Sequence, residues 1–164
     1  MFNVAFTGHR DSKLLFQGEN DPRLMALRGE LREKIIEMIS DGATEFFSGM
    51  ALGVDTYAAE EVLNLKKQYP RINLIAVIPC PDQDKLWTVA QQKRYRDLLA
   101  QCSKKMTISP QYEKGCMFKR NRALVELCDV LIAVTDGSNV TGGGTQYTID
   151  YAEKMGRKVI RISV

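Results

Sequence analysis

Of four polar stretches in this chain, "TGHRD" (7–11), "SGMALGVD" (48–55), "PCPDQDKLW" (79–87) and "TDGSNVTGGGT" (135–145), all but the third carry glycine in a way that suits an anion. A glycine-bearing loop that feeds a helix presents bare N–H groups and the positive end of a helix dipole. Each dipole interaction with an anion is worth roughly 0.3–1 kcal/mol. Gly49 and Gly53, with Ser48 and Met50 beside them, form one such loop, and Gly142, Gly143, Gly144 and Thr145 form another. Neither loop has the spacing of a dinucleotide fingerprint or of a Walker phosphate loop, so neither alone names a nucleotide. Arg10, Arg120 and Asn121 are the polar side chains best placed to join them. Lys114, Lys119 and Arg122 read as a solvated face. His9, the only histidine, sits in a turn that approaches a ligand, but no aspartate or serine is positioned by sequence to complete a relay with it. Asp136 and Asp150 could in principle pair as acid and base. Asp136 also suits the Asp-Gly turn it opens. Pro79 and Trp87 border the third stretch, where Trp87 can pack the following helix or cover a base. The composition offers no sequence-evident metal site: Cys80, Cys102, Cys116 and Cys128 form no CxxC pair, and there is one histidine to join them.

These loops need a frame, and the apolar runs supply it. "FNVAFTG" (2–8), "TEFFSG" (44–49), "INLIAVIP" (72–79), "KMTIS" (105–109), "DVLIAVTDG" (129–137) and "KVIRIS" (158–163) read as strands. The third and fifth are continuously apolar, as strands buried on both faces of a parallel sheet must be. Between them Leu24, Leu27, Leu31, Ile35 and Ile39 recur at three- and four-residue steps, predicting a helix that stops at Asp41-Gly42. A second helix starts at Asp55, read as its cap, and ends by Pro70. Others cover 88–103, 118–127 and 145–156. Alternation of this kind predicts an α/β fold: a single Rossmann-like three-layer sandwich over residues 1–164, with about six mostly parallel strands and helices on both faces. The place of the weak strand at 105–109 in the sheet is open. Ligands of such sheets bind beyond the carboxyl ends of the strands, where the winding reverses.

A chain of 164 residues that is 45% apolar suits one core. A formal charge of +3 is too small to make nucleic acid or a membrane surface the default partner. The opening "MFNVAFTGHR" has no signal-peptide pattern. No apolar stretch reaches the roughly 18 residues needed to span a membrane. A cytoplasmic location is the expectation.

Taken together, "GHR", "SGMALGVDTYAAE", "PCPDQDKLW", "RNRALVELCDVLIAVTDGS" and "GGGTQY" resemble the YpsA/YoqJ-like family. That family belongs to the SLOG superfamily, which joins the DNA-processing Smf proteins to the Lonely Guy phosphoribohydrolases. The resemblance runs from Phe2 to the last strand. It implies a Rossmann-like domain, bacterial or phage-borne, that binds a nucleotide or nucleotide-derived ligand, with dimers common among relatives. The Lonely Guy enzymes carry an arginine nine positions before the aspartate that opens their fifth strand, and Arg120 stands nine before Asp129. Their "PGGxGTxxE" loop resembles "TGGGT", but its glutamate falls on Thr148. A threonine cannot serve as the carboxylate that N-glycosidic cleavage needs. The DNA-processing proteins share "SGxAxGxD", which Ser48, Gly49, Ala51, Gly53 and Asp55 match. A single-strand groove, however, pairs aromatics with strong positive charge. The reading is therefore a sensor of a nucleotide-like molecule, without a required cofactor. An N-glycosidic hydrolase or transferase is the first alternative, and a single-stranded DNA binder is the second.

Overall fold

A computed structural model describes residues 2–137 and 144–164. Six strands, β1 (Phe2–Gly8), β2 (Ala43–Ser48), β3 (Asn73–Ile78), β4 (Lys104–Thr107), β5 (Val130–Thr135) and β6 (Lys158–Ser163), form one sheet in the order β4-β3-β2-β1-β5-β6. Every neighbouring pair is parallel. The winding runs outward from β1 to β4, then returns to the other side of β1 for β5 and β6. The reversal therefore lies between β1 and β5, which pair from Val4↔Val130 to Gly8↔Val134.

Right-handed crossovers in opposite directions put their helices on opposite faces. Helices α2 (Pro22–Ser40), α3 (Val54–Lys66) and α4 (Val89–Gln101) share one core with Phe6, Phe46, Leu74 and Ile132. Helices α5 (Cys116–Leu127) and α6 (Gly144–Lys154) cover the other face, against Ala5, Phe47, Val77 and Leu131. All six residues of β5 are buried, which accounts for its unbroken apolar run. The weak strand β4 takes the exposed edge beside β3. A four-residue helix, α1 (Asp11–Leu14), has no sequence periodicity to announce it and lies directly after the β1 turn.

Local chemistry accounts for most helix ends. In α2 the Asp21 side chain accepts from Arg23 N at 2.9 Å and Pro22 opens the first turn. At its other end Gly42 takes φ +103°. Met38, rather than Ile39, is the last fully buried side chain of α2, with Ile39 partly buried. The series 24, 27, 31, 35, 38 keeps the helical period better. In α4, Thr88 and Gln91 form a reciprocal capping box. Helix α3 departs from expectation at its start. Its cap is Gly53, not Asp55, and it closes at Lys66, before Pro70. Among the described residues no helix is long and apolar enough to cross a membrane.

Candidate functional site

The turn that leaves β1 is pressed onto the start of α3. A β-carbon on Gly8 would lie 2.5 Å from Val54 Cβ, so only glycine lets the two backbones meet. Gly53 is held at φ +91°, and a β-carbon there would lie 2.5 Å from the His9 carbonyl oxygen. Val54 N donates to that same carbonyl at 3.2 Å. Ser48 is fully buried: its hydroxyl donates to the Asp55 carbonyl at 2.9 Å and accepts from Met50 N at 3.1 Å. Met50 is a core residue at φ +60°. The glycines of "SGMALGVD" thus admit other parts of the protein rather than opening space for a ligand.

What approaches Gly49 is Arg120. This arginine is 3% exposed, and its Nη1 donates to the Gly49 carbonyl at 2.5 Å while its Nε donates to Asn121 Oδ1 at 2.9 Å. Gln83 Nε2 donates to the same Gly49 carbonyl at 3.2 Å. Asp55, buried against the same face of Gly49, accepts from Ala51 N at 3.3 Å. Burial pushes the Asp55 carboxyl up, against the opposing pull of Arg120, the Ala51 N–H and Arg10. Burial also lowers the Arg120 pKa, with the Asp55 charge opposing and the Arg10 charge adding to the shift. Arg120 and Asp55 are the buried polar frame beneath the site.

Above that frame lies a cavity of about 370 Å³ at the carboxyl end of β1, where the winding reverses. Its walls come from the β1 turn (Gly8, His9, Arg10), from α1 (Ser12, Lys13), from Ala51 and Asp55, from α5 (Arg120, Asn121, Leu124) and from the first turn of α6 (Gly144, Thr145, Gln146). The first N–H groups of an 11-residue helix have no intrahelical partner, so α6 points donors and its positive end at this space. Arg10 and Lys13, both exposed, add cationic side chains to the cavity wall.

His9, 8% exposed, forms part of the wall. Its Nε2 lies 3.2 Å from Asp136 Oδ1 and 3.2 Å from Asp136 N, while Thr145 Oγ1 lies 3.4 Å from its Nδ1. With a proton on Nε2 the ring donates to the carboxylate; without it, Nε2 accepts the backbone N–H. Either way Asp136 and Thr145 hold the ring in place across the β1–β5 seam. Asp136 also meets Lys13, at 3.7 Å. Asp150 instead accepts from Gln146 on the exposed side of α6. The two aspartates thus have separate partners rather than acting as an acid–base pair.

The cavity gathers Gly8, His9, Arg10, Asp55, Arg120, Asn121, Gly144 and Thr145 from the residues singled out in the sequence. Ser48, Gly49, Met50 and Gly53 stand behind its wall, and Asp136 behind His9. Pro79 is buried, its carbonyl accepting from Ser109 N, and Trp87 packs edge-on against Tyr95 with ring centroids 5.1 Å apart. Both are outside this lining. Gly142 and Gly143 fall outside the described residues. Lys13, Ser12, Gln146 and Leu124 line the cavity without having been anticipated. Gln146 was accessible as the neighbour of Thr145 in a first helical turn, whereas α1, which carries Ser12 and Lys13, left no pattern. Thr148 is fully buried, its hydroxyl donating to the Gly144 carbonyl at 2.7 Å. Arg122, half-buried, donates to the Tyr147 hydroxyl at 2.7 Å, while Lys114 and Lys119 are exposed.

The YpsA family model, described as the YspA SLOG family, matches residues 4–163. A UPF0398 protein of Bacillus pumilus is 30% identical over 153 residues, covering 92% of this chain and 81% of the relative. UPF0398 proteins of Bacillus cereus and Bacillus thuringiensis are each 28% identical over 155 residues, covering 93% of this chain and 83% of the relative. Matched from the third residue of β1 to the end of β6, the chain belongs to the YpsA family of SLOG proteins.

Proposed function

We propose that the protein binds a nucleotide or nucleotide-derived ligand in the cavity at the carboxyl end of β1, and that binding serves to sense that molecule. One observation carries the reading: a single cavity at the winding reversal joins Arg10 and Lys13 to the first turn of α6, over a buried Arg120–Asp55 frame. A phosphate there meets helix N–H donors and two exposed cations. The apolar wall of Leu124 and Ala51 suits the less polar part of such a ligand. Arg120 supports this site from below, because two of its nitrogens are already committed to Gly49 and Asn121. Arg10 is the outward-facing arginine that grips the phosphate.

Isothermal calorimetry with AMP, ADP and ADP-ribose tests this. Binding of at least one, weakened roughly 10- to 100-fold by Arg10→Ala, is expected, since a charge-assisted hydrogen bond is worth about 1.5–3 kcal/mol. Arg161→Ala, which removes a surface partner of Glu153, leaves affinity unchanged. Failure of the whole panel, with oligo-dT binding that weakens steeply in salt, would replace this reading with single-strand binding.

A further inference from the structure

We infer that a second cavity, between the β3–α4 loop and the start of α5, is the subsite for the nucleobase of that same ligand. This rests on the anion-binding reading above. The second cavity holds about 400 Å³, within the roughly 300–1,000 Å³ of small-molecule sites. Trp87, Tyr112, Leu86 and Met117 line it. Leu86 is 93% exposed and Tyr112 66%, so large apolar side chains stand in water around a hollow. Planar aromatic and aliphatic groups around a slot are what a base ring needs in order to stack.

Met117 joins this cavity to the first. Its sulfur lies 4.0 Å from Arg10 Nη2 and 3.9 Å from Arg120 Nη2, and both arginines line the anion cavity. A ligand with phosphate against Arg10 and its base beside Trp87 would therefore cross over Met117.

Gln83 is the second, independent observation. It lines the same cavity and is 9% exposed. Its Nε2 donates to the Gly49 carbonyl and to the Tyr95 hydroxyl, but its buried Oε1 has no hydrogen-bond partner among the described residues. Flipping the amide would set its oxygen 3.2 Å from the Gly49 carbonyl oxygen, two acceptors with no proton between them. An unused buried acceptor next to an aromatic slot suits the N–H or amino group of a base. The same side chain touches the Gly49 carbonyl held by Arg120, so the two subsites share one hydrogen-bonded junction.

Trp87 is the only tryptophan, so its emission reports on its own surroundings, and the Tyr112→Ala variant ties a change to this cavity, which Tyr112 lines. The experiment titrates AMP, ribose 5-phosphate and adenosine into the intact protein and follows both calorimetry and tryptophan fluorescence. AMP is expected to bind and quench Trp87, and ribose 5-phosphate to bind without quenching. Tyr112→Ala, a change at an exposed side chain, should weaken AMP about tenfold and leave ribose 5-phosphate unchanged. Calorimetric binding of AMP with unchanged Trp87 emission and no effect of Tyr112→Ala overturns the base subsite while the anion site stands. Quenching by adenosine, with no gain in affinity from the phosphate of AMP, keeps the base subsite and overturns the anion site. No binding of any probe overturns both.

Discussion

A β-carbon on Gly49 would sit 2.6 Å from Arg120 Nη1 and 2.8 Å from both Arg120 Cζ and Asp55 Oδ2. Neither neighbour can step aside into water, because Arg120 is 3% and Asp55 8% exposed. Gly49→Ala should therefore lose about 1–3 kcal/mol in urea unfolding through overpacking. A wild-type midpoint for that variant would show that the guanidinium is free to move. Thr148 poses the matching question about chemistry. Its hydroxyl is turned to the Gly144 carbonyl, and Asp55 is the only carboxylate among the described residues lining the anion cavity. Asp55 lies buried beside Arg120, accepting from Ala51 N. Incubation with AMP should release no adenine. Chromatographic appearance of the free base in proportion to added protein would contradict the sensor reading and make Asp55 the first carboxylate to test.

At the scale of elements, the start of α2 depends on one carboxylate. Asp21 accepts from Gln17 N at 2.8 Å, from Arg23 N at 2.9 Å and from the Arg23 guanidinium at 2.7 Å. The Arg23 side chain, then the two backbone N–H groups, hold its carboxyl far below the ordinary aspartate value of 3.8. The unfolded chain takes up its proton near 3.8, whereas the folded chain resists until well below. The stability that ionised Asp21 supplies is complete above that pH and is lost as acid carries the pH down toward the folded value. Asn keeps the cap but not the charge. The advantage of wild type over Asp21→Asn in urea unfolding should be larger at pH 7 than at pH 3. Equal gaps at both pH values would mean that the charge contributes nothing. Helices α2, α3 and α4 are further tied by Arg28 and Arg94, which both pair with Glu60 and flank the Tyr57 ring at 5.8 and 5.7 Å.

At the scale of the whole molecule, the sheet grades from a dry centre to a wet edge. Strand β5 is buried along its whole length between β1 and β6, while β4 pairs only with β3 and has three of its four residues exposed. Local opening follows such differences in burial and pairing. Native-state hydrogen exchange should show the slowest amides in β1 and β5 and much faster exchange in β4. Equal protection in β4 and β5 would mean that the sheet opens only as a unit. The proposed anion cavity lies at the carboxyl end of β1, beside the pair of strands expected to exchange slowest.

Much of this molecule is decided within short windows of sequence. The unbroken, β-branched-rich run "VLIAVT" fits a strand covered on both faces, and the spacing of Leu24, Leu27, Leu31 and Ile35 fits one buried side of a helix, as the structure has them. Because ligands of parallel sheets sit beyond the carboxyl ends of the strands, Gly8, His9 and Arg10 could be nominated before any coordinates. Contacts between distant segments were not legible in this way. The hydrogen bond from Arg120 to Gly49 spans 71 positions, and that between His9 and Asp136 spans 127. Glycine at 49 admits either a ligand or a side chain equally well, and Ser48 is equally suited to a phosphate or to the Asp55 carbonyl. Local propensity is blind to that choice. It was made when β5 came to lie beside β1 and α5 crossed the opposite face of the sheet, which placed a buried guanidinium where the loop alone had suggested an opening.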